Sequence, residues 1–178
     1  MNREQGDFVG AQWHQLARRF RNRDGIGLAP QRLPVALDLR GRRVLLVGAG
    51  QVAARKVGPL IEAGARIEAV APSLDSRLEN LLAEGSLVVH RRPFTPQDLT
   101  GAWLVYALTD SPDLNARVAE LCEERGIWCL VGRSSQESPV WSLAHRRRGD
   151  ELVAVSGGGN PRRALALLDR VVEALGWK

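Results

Sequence analysis

The residues best suited to chemistry lie in one short glycine-rich stretch, Gly48-Ala49-Gly50-Gln51-Val52-Ala53. The stretch fits the pattern G-x-G-x-x-A, in which the first glycine permits a tight turn and the second lets the backbone approach a pyrophosphate. An apolar run, VLLV, precedes it, and the residues after it have helical spacing. The first N–H groups of such a helix are free to bind phosphate oxygens. We therefore predict a nucleotide-binding loop; the alternative is a tight turn that binds no ligand.

The end of the second predicted strand decides how the ribose of a nucleotide would be held. The general pattern has an acidic residue about 20 positions beyond the glycines. Here Pro72 and Ser73 occupy that corner, and Asp75 lies slightly beyond it. Backbone groups or the Ser73 hydroxyl would then contact the ribose. No arginine stands at the corner to bind a 2′-phosphate, so the sequence favours NAD over NADP.

Strands and helices alternate on both sides of this loop. The predicted strands are RRVLLVG, ARIEAVAP, SLVVHRRP, AWLVYALTD and IWCLVG, and the helices between them are QVAARKVGPLIEAG, SLDSRLENLLAEG and SPDLNARVAELCEERG. Ser111 is the predicted N-cap of the last helix, with Pro112 at its first position. Such alternation predicts an α/β fold with a parallel, Rossmann-like sheet.

After Gly132 the alternation of predicted strands and helices ends. Two short strands joined by a turn that contains Gly149 and Asp150 indicate an antiparallel hairpin. A final helix follows, with Asn160 as its predicted N-cap and Pro161 at its first position. We therefore predict a basic N-terminal extension at residues 1–31, a nucleotide-binding domain at 32–132, and a hairpin-and-helix segment at 133–178.

Composition limits the remaining possibilities. The chain has 178 residues and a formal net charge of +5, which favours anionic partners or serves solubility alone. No apolar run is long enough to span a bilayer and no signal peptide is evident, so we expect a cytoplasmic protein. Cys122 and Cys129 are expected to be buried, and no zinc spacing or other metal site is predicted. Nucleic-acid binding is not expected, because the arginines lack interleaved aromatic residues.

The N-terminal extension has its own pattern. Four apolar residues recur at helical spacing among arginines: Trp13, Leu16, Ala17 and Phe20. They predict either a short amphipathic helix that docks on a membrane surface or a partner, or a flexible extension.

Three motifs in order resemble the precorrin-2 dehydrogenase and sirohydrochlorin ferrochelatase family, which forms the NAD-binding part of siroheme synthases. LPVALDLRGRRVLLVGAGQVAARKVGPLIEAGARIEAVAP is similar to the family's opening pattern, and ALTDSPDLNARV is similar to its second signature. RRRGDELVAVSGGGNPRRA is similar to its third. The resemblance covers residues 33–175 and implies the oxidation of precorrin-2 to sirohydrochlorin with NAD as hydride acceptor.

The resemblance also implies roles for individual residues. It places the cofactor along Gly48, Gly50, Gln51, Val52, Pro72, Ser73, Thr109 and Asp110. It assigns Ser156 and the glycines after it, Gly157 and Gly158, to the tetrapyrrole pocket, and it implies a homodimer. Arginines cluster in the same part of the chain, where they either bind the carboxylates of the substrate or form a solvated basic face. With Asn160, Arg133 and Arg162 complete the predicted substrate-binding set.

The chain departs from the family pattern at the position of a catalytic aspartate. In the family a short strand ends in C-N-x-x-D, but the matching residues here are Cys129-Leu130-Val131-Gly132-Arg133. An arginine cannot act as a base, so no catalytic residue is assigned. Ferrochelatase activity is not expected either, because the sequence shows no metal-handling acid or histidine cluster. Three hypotheses follow: an NAD-dependent precorrin-2 dehydrogenase, a non-catalytic nucleotide- or tetrapyrrole-binding relative that acts with a partner enzyme, and a Rossmann-type reductase for another anionic substrate.

Overall fold

A five-stranded parallel sheet forms the centre of the protein in the computed structural model, which describes residues 32–132 and 138–177. The strands are β1 (Arg43–Ala49), β2 (Arg66–Leu74), β3 (Val88–His90), β4 (Leu104–Ala107) and β5 (Trp128–Val131). Their order across the sheet is β3-β2-β1-β4-β5, so β1 lies in the middle. This is the Rossmann-like arrangement that the alternating pattern predicts, and the predicted fold class is confirmed.

Helices connect the strands and bury their apolar faces on the sheet. They are α1 (Gln51–Glu62), α2 (Ser76–Ala83) and α3 (Pro112–Glu124), and a 3₁₀ turn spans Pro96–Leu99. Residues 44–47 of β1 are completely or almost completely buried, because helices and neighbouring strands cover both faces of a central parallel strand. Cys122 and Cys129 are buried free thiols, as predicted.

A hairpin and a helix follow the sheet within the same compact unit, residues 38–178. Strands β6 (Ala144–Arg148) and β7 (Glu151–Val155) pair antiparallel, and helix α4 (Pro161–Ala174) packs on them. Gly149 has a φ of 57° and allows the tight turn between the two strands. The predicted hairpin and final helix are therefore confirmed.

Capping residues fix where the helices begin. The Ser111 hydroxyl accepts a hydrogen bond from Leu114 N–H at 3.3 Å, and the Asn160 side chain accepts one from Arg163 N–H at 3.1 Å. Both predicted N-caps are thus confirmed. The predicted start of α2 at Ser73 is wrong, because β2 continues to Leu74 and pairs with Ala49 after a shift in register. Asp75 caps α2 instead.

The chain divides into two units, residues 1–37 and 38–178. The described part of the first unit, residues 32–37, contains no helix or strand. The predicted amphipathic helix around Trp13 lies outside the described residues. None of the helices in the described ranges has the length and apolar character needed to cross a bilayer. The cytoplasmic location stays a prediction.

Gly157 allows the backbone after β7 to pass close to the start of α4. A Cβ atom at this position would lie 2.3 Å from the Asn160 carbonyl oxygen and 2.5 Å from the Ala164 nitrogen, both backbone atoms. We predict that Gly157→Ala lowers the free energy of unfolding by about 1–3 kcal/mol, because the overpacked backbone has to shift. Denaturant unfolding would measure this loss.

Gly58 provides the matched control. It lies inside α1, and a Cβ there would meet nothing within 4 Å. Gly58→Ala is expected to change the free energy of unfolding by less than about 1 kcal/mol, because the gain of alanine over glycine in a helix is offset by contact of its Cβ with the ring of Pro59, the next residue. Equal stabilities of the Gly157→Ala variant and the wild type would contradict the account of the β7–α4 contact.

Candidate functional site

Gly48 allows the end of β1 to touch the residues that follow β4. Its φ is 98°, and a Cβ atom there would lie 2.8 Å from the Leu108 carbonyl carbon, the Leu108 carbonyl oxygen and the Thr109 nitrogen. The Leu108 N–H also donates a hydrogen bond to the Val47 carbonyl at 2.8 Å. Only glycine combines this backbone conformation with this closeness. The first glycine of the loop is therefore needed by the fold itself.

Gly50 has a different role. Its backbone is extended, with φ −82° and ψ −166°, a conformation open to other residues. A Cβ atom there would meet nothing within 4 Å. The fold therefore does not require glycine at this position, and the missing side chain leaves open space in front of the loop. A diphosphate that approaches the backbone needs that space.

The start of α1 suits an anion. Gly50 is the N-cap and supplies no side-chain hydrogen bond, and the first turn, which includes Gln51 and Val52, contains no acidic residue. The first N–H groups and the positive end of the helix dipole are thus left to a ligand. Space and charge at this loop both fit the pyrophosphate of a dinucleotide.

The end of β2 lies next to the glycine loop. Pro72 and Ser73 are exposed there, and the Asp75 N–H donates a hydrogen bond to the Ala49 carbonyl at 2.8 Å. An arginine does lie near this corner, contrary to the sequence prediction: Arg77 Nε donates to the Asp75 carboxylate at 2.8 Å. Hydrogen bonds from Arg77 lower the pKa of Asp75 to about 2. The Arg77 guanidinium is therefore paired with Asp75 rather than free for a phosphate.

Thr109 and Asp110 follow β4 at the same edge of the sheet. The Asn115 side-chain oxygen accepts hydrogen bonds from the Thr109 N–H at 3.0 Å and from its hydroxyl at 2.8 Å. The Asn115 amide group donates to the Thr109 carbonyl at 2.9 Å. These three hydrogen bonds between Thr109 and Asn115 fix the loop that follows β4. Asp110 is exposed.

A cavity of about 680 Å³ lies beside the glycine loop. Its walls are one face of α1, the ends of β4 and β5, residues 138–144, the end of β7 and the start of α4. Among its lining residues are Val52, Ser156, Gly157 and Asn160, which the sequence analysis assigned to the cofactor or the substrate. The cavity therefore brings the first and third motifs together, although more than 100 residues separate them.

Two of the predicted substrate residues are not part of the described cavity wall. Gly158 and Arg162 do not line the cavity within the described part of the chain. Arg133 lies outside the described residues. The Asn160 side chain caps α4, and Gly158 N–H donates to the Ser156 hydroxyl at 3.2 Å, so this loop is held by its own hydrogen bonds.

Two basic residues of the cavity wall were missed from the sequence. Arg55 and Lys56 lie one turn after Val52 on α1, so all three share one face of the helix. Burial lowers the pKa of Lys56, because it disfavours the charged form. The described lining contains no aspartate, glutamate or histidine. The sequence does show two adjacent basic residues after the glycine loop. Which way their side chains point depends on how α1 packs in the fold.

The described residues offer no group of side chains suited to a metal ion. In residues 32–132 and 138–177, no three histidine, cysteine or acidic side chains come together in a way that could hold a metal ion.

Comparison with known proteins defines the class. A family model described as putative NAD(P)-binding matches residues 35–142, which is more than half of the chain. The chain belongs to this NAD(P)-binding family.

The curated relatives that the chain matches are siroheme synthases. Over 143 residues the chain is 39% identical to siroheme synthase 3 from Aeromonas hydrophila, a match that covers 80% of this chain and 31% of that protein. It is 41% identical over 128 residues to the siroheme synthase from Azotobacter vinelandii, covering 72% of this chain and 28% of the relative. The chain thus spans about a third of the length of these curated relatives.

A solved structure agrees with the sequence relatives. The structure titled SirC, precorrin-2 dehydrogenase, superimposes with a TM-score of 0.69 at 25% identity and covers 80% of this chain and 71% of that one. The resemblance to the precorrin-2 dehydrogenase and siroheme synthase family is therefore confirmed.

Because a side chain at Gly50 would not disturb the fold, a substitution there tests cofactor binding directly. We predict that Gly50→Asp weakens NAD binding by at least about tenfold, because a carboxylate would repel the pyrophosphate. The melting temperature should change little, since a side chain there meets nothing within 4 Å. Isothermal titration with NAD would measure the affinity.

Gly58→Asp is the matched control for this variant. It places the same carboxylate on the same helix, at another open position. NAD affinity equal to that of the wild type in the Gly50→Asp variant would show that the cofactor lies elsewhere.

Proposed function

We propose that this protein oxidises precorrin-2 to sirohydrochlorin with NAD as hydride acceptor, a step in the biosynthesis of siroheme. The observation that carries the proposal is the cavity of about 680 Å³ that shares Val52 and Leu108 with the surroundings of the glycine loop. Its size suits a ligand of several hundred Å³. The proposal also draws on the names of the siroheme synthase and SirC relatives.

Residues of the glycine loop would hold the cofactor. Gly48 and Gly50 would let the backbone come close to the pyrophosphate of the cofactor. The N–H groups of Gln51 and Val52 would face its phosphates. Pro72 and Ser73 would lie by the adenosine, and the loop of Thr109 and Asp110 near the nicotinamide. When bound, NAD supplies a two-electron acceptor for a hydride. We infer NAD rather than NADP, because Asp75 already engages the nearby Arg77.

Charge in the cavity suits a polycarboxylate. The described lining has two basic side chains, Arg55 and Lys56, and no acidic one. Precorrin-2 carries several carboxylates, so its binding would be favoured here and a cationic ligand would be disfavoured. Ser156 and Gly157 would form the opposite wall, at the start of α4.

A second candidate function rests on the end of β5. Gly132 lines the cavity, and the next residue in the sequence is Arg133, where the family pattern has an aspartate. An arginine there would bind a carboxylate and could not accept a proton. This favours a protein that binds the nucleotide or the tetrapyrrole without oxidising it and that acts with a partner enzyme.

Turnover distinguishes the two functions. We expect anaerobic incubation with precorrin-2 and NAD to form NADH and sirohydrochlorin in equal amounts, because each oxidation transfers one hydride. Absorbance at the NADH band and the spectrum of the tetrapyrrole would be followed together, with the Gly50→Asp variant as the control. Binding of NAD and tetrapyrrole without formation of either product would overturn the proposed oxidation and support the second function.

Homodimer formation is also proposed, on the basis of α4. Ala164 and Leu168 face the hairpin and are buried, whereas Leu165, Leu167 and Leu175 are 37–51% exposed. So many exposed leucines in one short segment are typical of an interface. A second copy of the chain would cover them and complete the substrate segment.

The oligomeric state tests the proposed dimer. We predict a mass of about twice 19.5 kDa by light scattering for the wild type and a monomer for Leu167→Glu, because a buried charge disfavours association. Leu33→Glu, at an exposed position in residues 32–37, is the control. A monomeric wild type would contradict the proposed dimer.

A further inference from the structure

Lys56 is chemically distinct in this chain. The sequence has 25 basic residues, and only Lys56 and Lys178 are lysines. Lys56 lies in the second turn of α1, and its side chain lines the cavity together with Val52 and Arg55. The ammonium group can lose its proton far more easily than an arginine, so this cation can respond to its surroundings.

Among the residues that the structure describes, none offers Lys56 a compensating charge. The side chain is half-buried, and no ion pair among the described residues includes it. The other charged group in the described lining is Arg55, which is also basic. Burial of an unpaired ammonium costs free energy. An anion in the cavity would recover that cost.

We propose that Lys56 binds a carboxylate of the substrate and positions the tetrapyrrole against the cofactor end of α1. The inference rests on the proposed function, since it takes the ligand of the cavity to be a polycarboxylate tetrapyrrole. Lys56 follows Val52 by four residues, so both side chains face the same part of the cavity. A carboxylate held by Lys56 would draw the macrocycle over Val52, next to the glycine loop.

The proton on Lys56 connects binding to pH. The pKa of Lys56 is lowered by burial in the free protein, and a bound carboxylate stabilises the charged form and raises the pKa. Binding therefore takes up a proton when the pH lies above the lowered pKa. Affinity for the anion should be constant at lower pH and should fall as the pH rises through that pKa. Arg55 stays protonated throughout and does not cause this change.

Acetylation of the full chain by acetic anhydride tests the contact directly, with uroporphyrin, a stable porphyrin with eight carboxylates, as the probe. We expect saturating uroporphyrin to slow the acetylation of Lys56 at least about fivefold, because the bound carboxylate shields and charges the amine. Lys178 is the internal reference and should react at an unchanged rate. Peptide mass spectrometry separates the two sites. Equal rates at Lys56 with and without the porphyrin would overturn the proposal.

Two variants separate charge from structure. We expect Lys56→Met to weaken uroporphyrin binding about tenfold and to abolish its fall at alkaline pH, and Lys56→Arg to retain affinity but lose the same fall. NAD affinity should be unchanged in both variants, which also shows that they fold. Wild-type affinity for the porphyrin in Lys56→Met, or no binding of the porphyrin to the wild type, would overturn the proposal.

Failure of the proposed oxidation would look different. A protein that forms no NADH from precorrin-2 but shows porphyrin protection of Lys56 lacks the proposed activity and retains the proposed carboxylate site. Formation of NADH with an unchanged KM for precorrin-2 in Lys56→Met would support the oxidation and reject the role of Lys56.

Discussion

The contact between Gly48 and the backbone of Leu108 and Thr109 is the constraint on which the site depends. No side chain fits between β1 and the turn after β4, since a Cβ at Gly48 would lie 2.8 Å from three backbone atoms. This contact fixes the glycine loop at the end of β1. It also fixes Leu108, which forms part of the cavity wall. The proposed cofactor loop and the proposed substrate cavity are thus held together by one short backbone contact.

Helix α1 meets three different requirements at once. Its N-terminus leaves free N–H groups for phosphates, and its residues Ala53, Val57 and Leu60 are buried in the core. A third face, with Val52, Arg55 and Lys56, lines the cavity. Because the helix is rigid, a ligand on its N-terminus and a ligand on that third face would be held in a fixed relation. Transfer of a hydride depends on such positioning.

Most of the fold could be predicted from the sequence because its signals are local. Apolar runs alternate with helical spacing, and Ser111, Asn160 and Gly149 mark caps and a turn by their own chemistry. The end of β2 could not be predicted, because it depends on a shift in register against β1 between Val47 and Ala49. A local pattern contains no information about such pairing.

The candidate site was less accessible to sequence analysis. The glycine pattern identified Gly48 and Gly50, but it could not show that the fold needs the first and that the second faces open space. Lys56 was missed because only the packing of α1 decides which face lines the cavity. Thr109 and Asn160 stay predicted ligand residues, and the structure adds that their side chains also make hydrogen bonds within the protein.

The central claim is that the cofactor loop and the cavity form one site. A crystal structure of the protein with both NAD and sirohydrochlorin tests it most directly. The account predicts the pyrophosphate over Gly50, the nicotinamide at the cavity, and the tetrapyrrole between α1 and the start of α4, with a carboxylate on Lys56. A tetrapyrrole bound away from the cavity, or a nicotinamide directed away from it, would contradict the account.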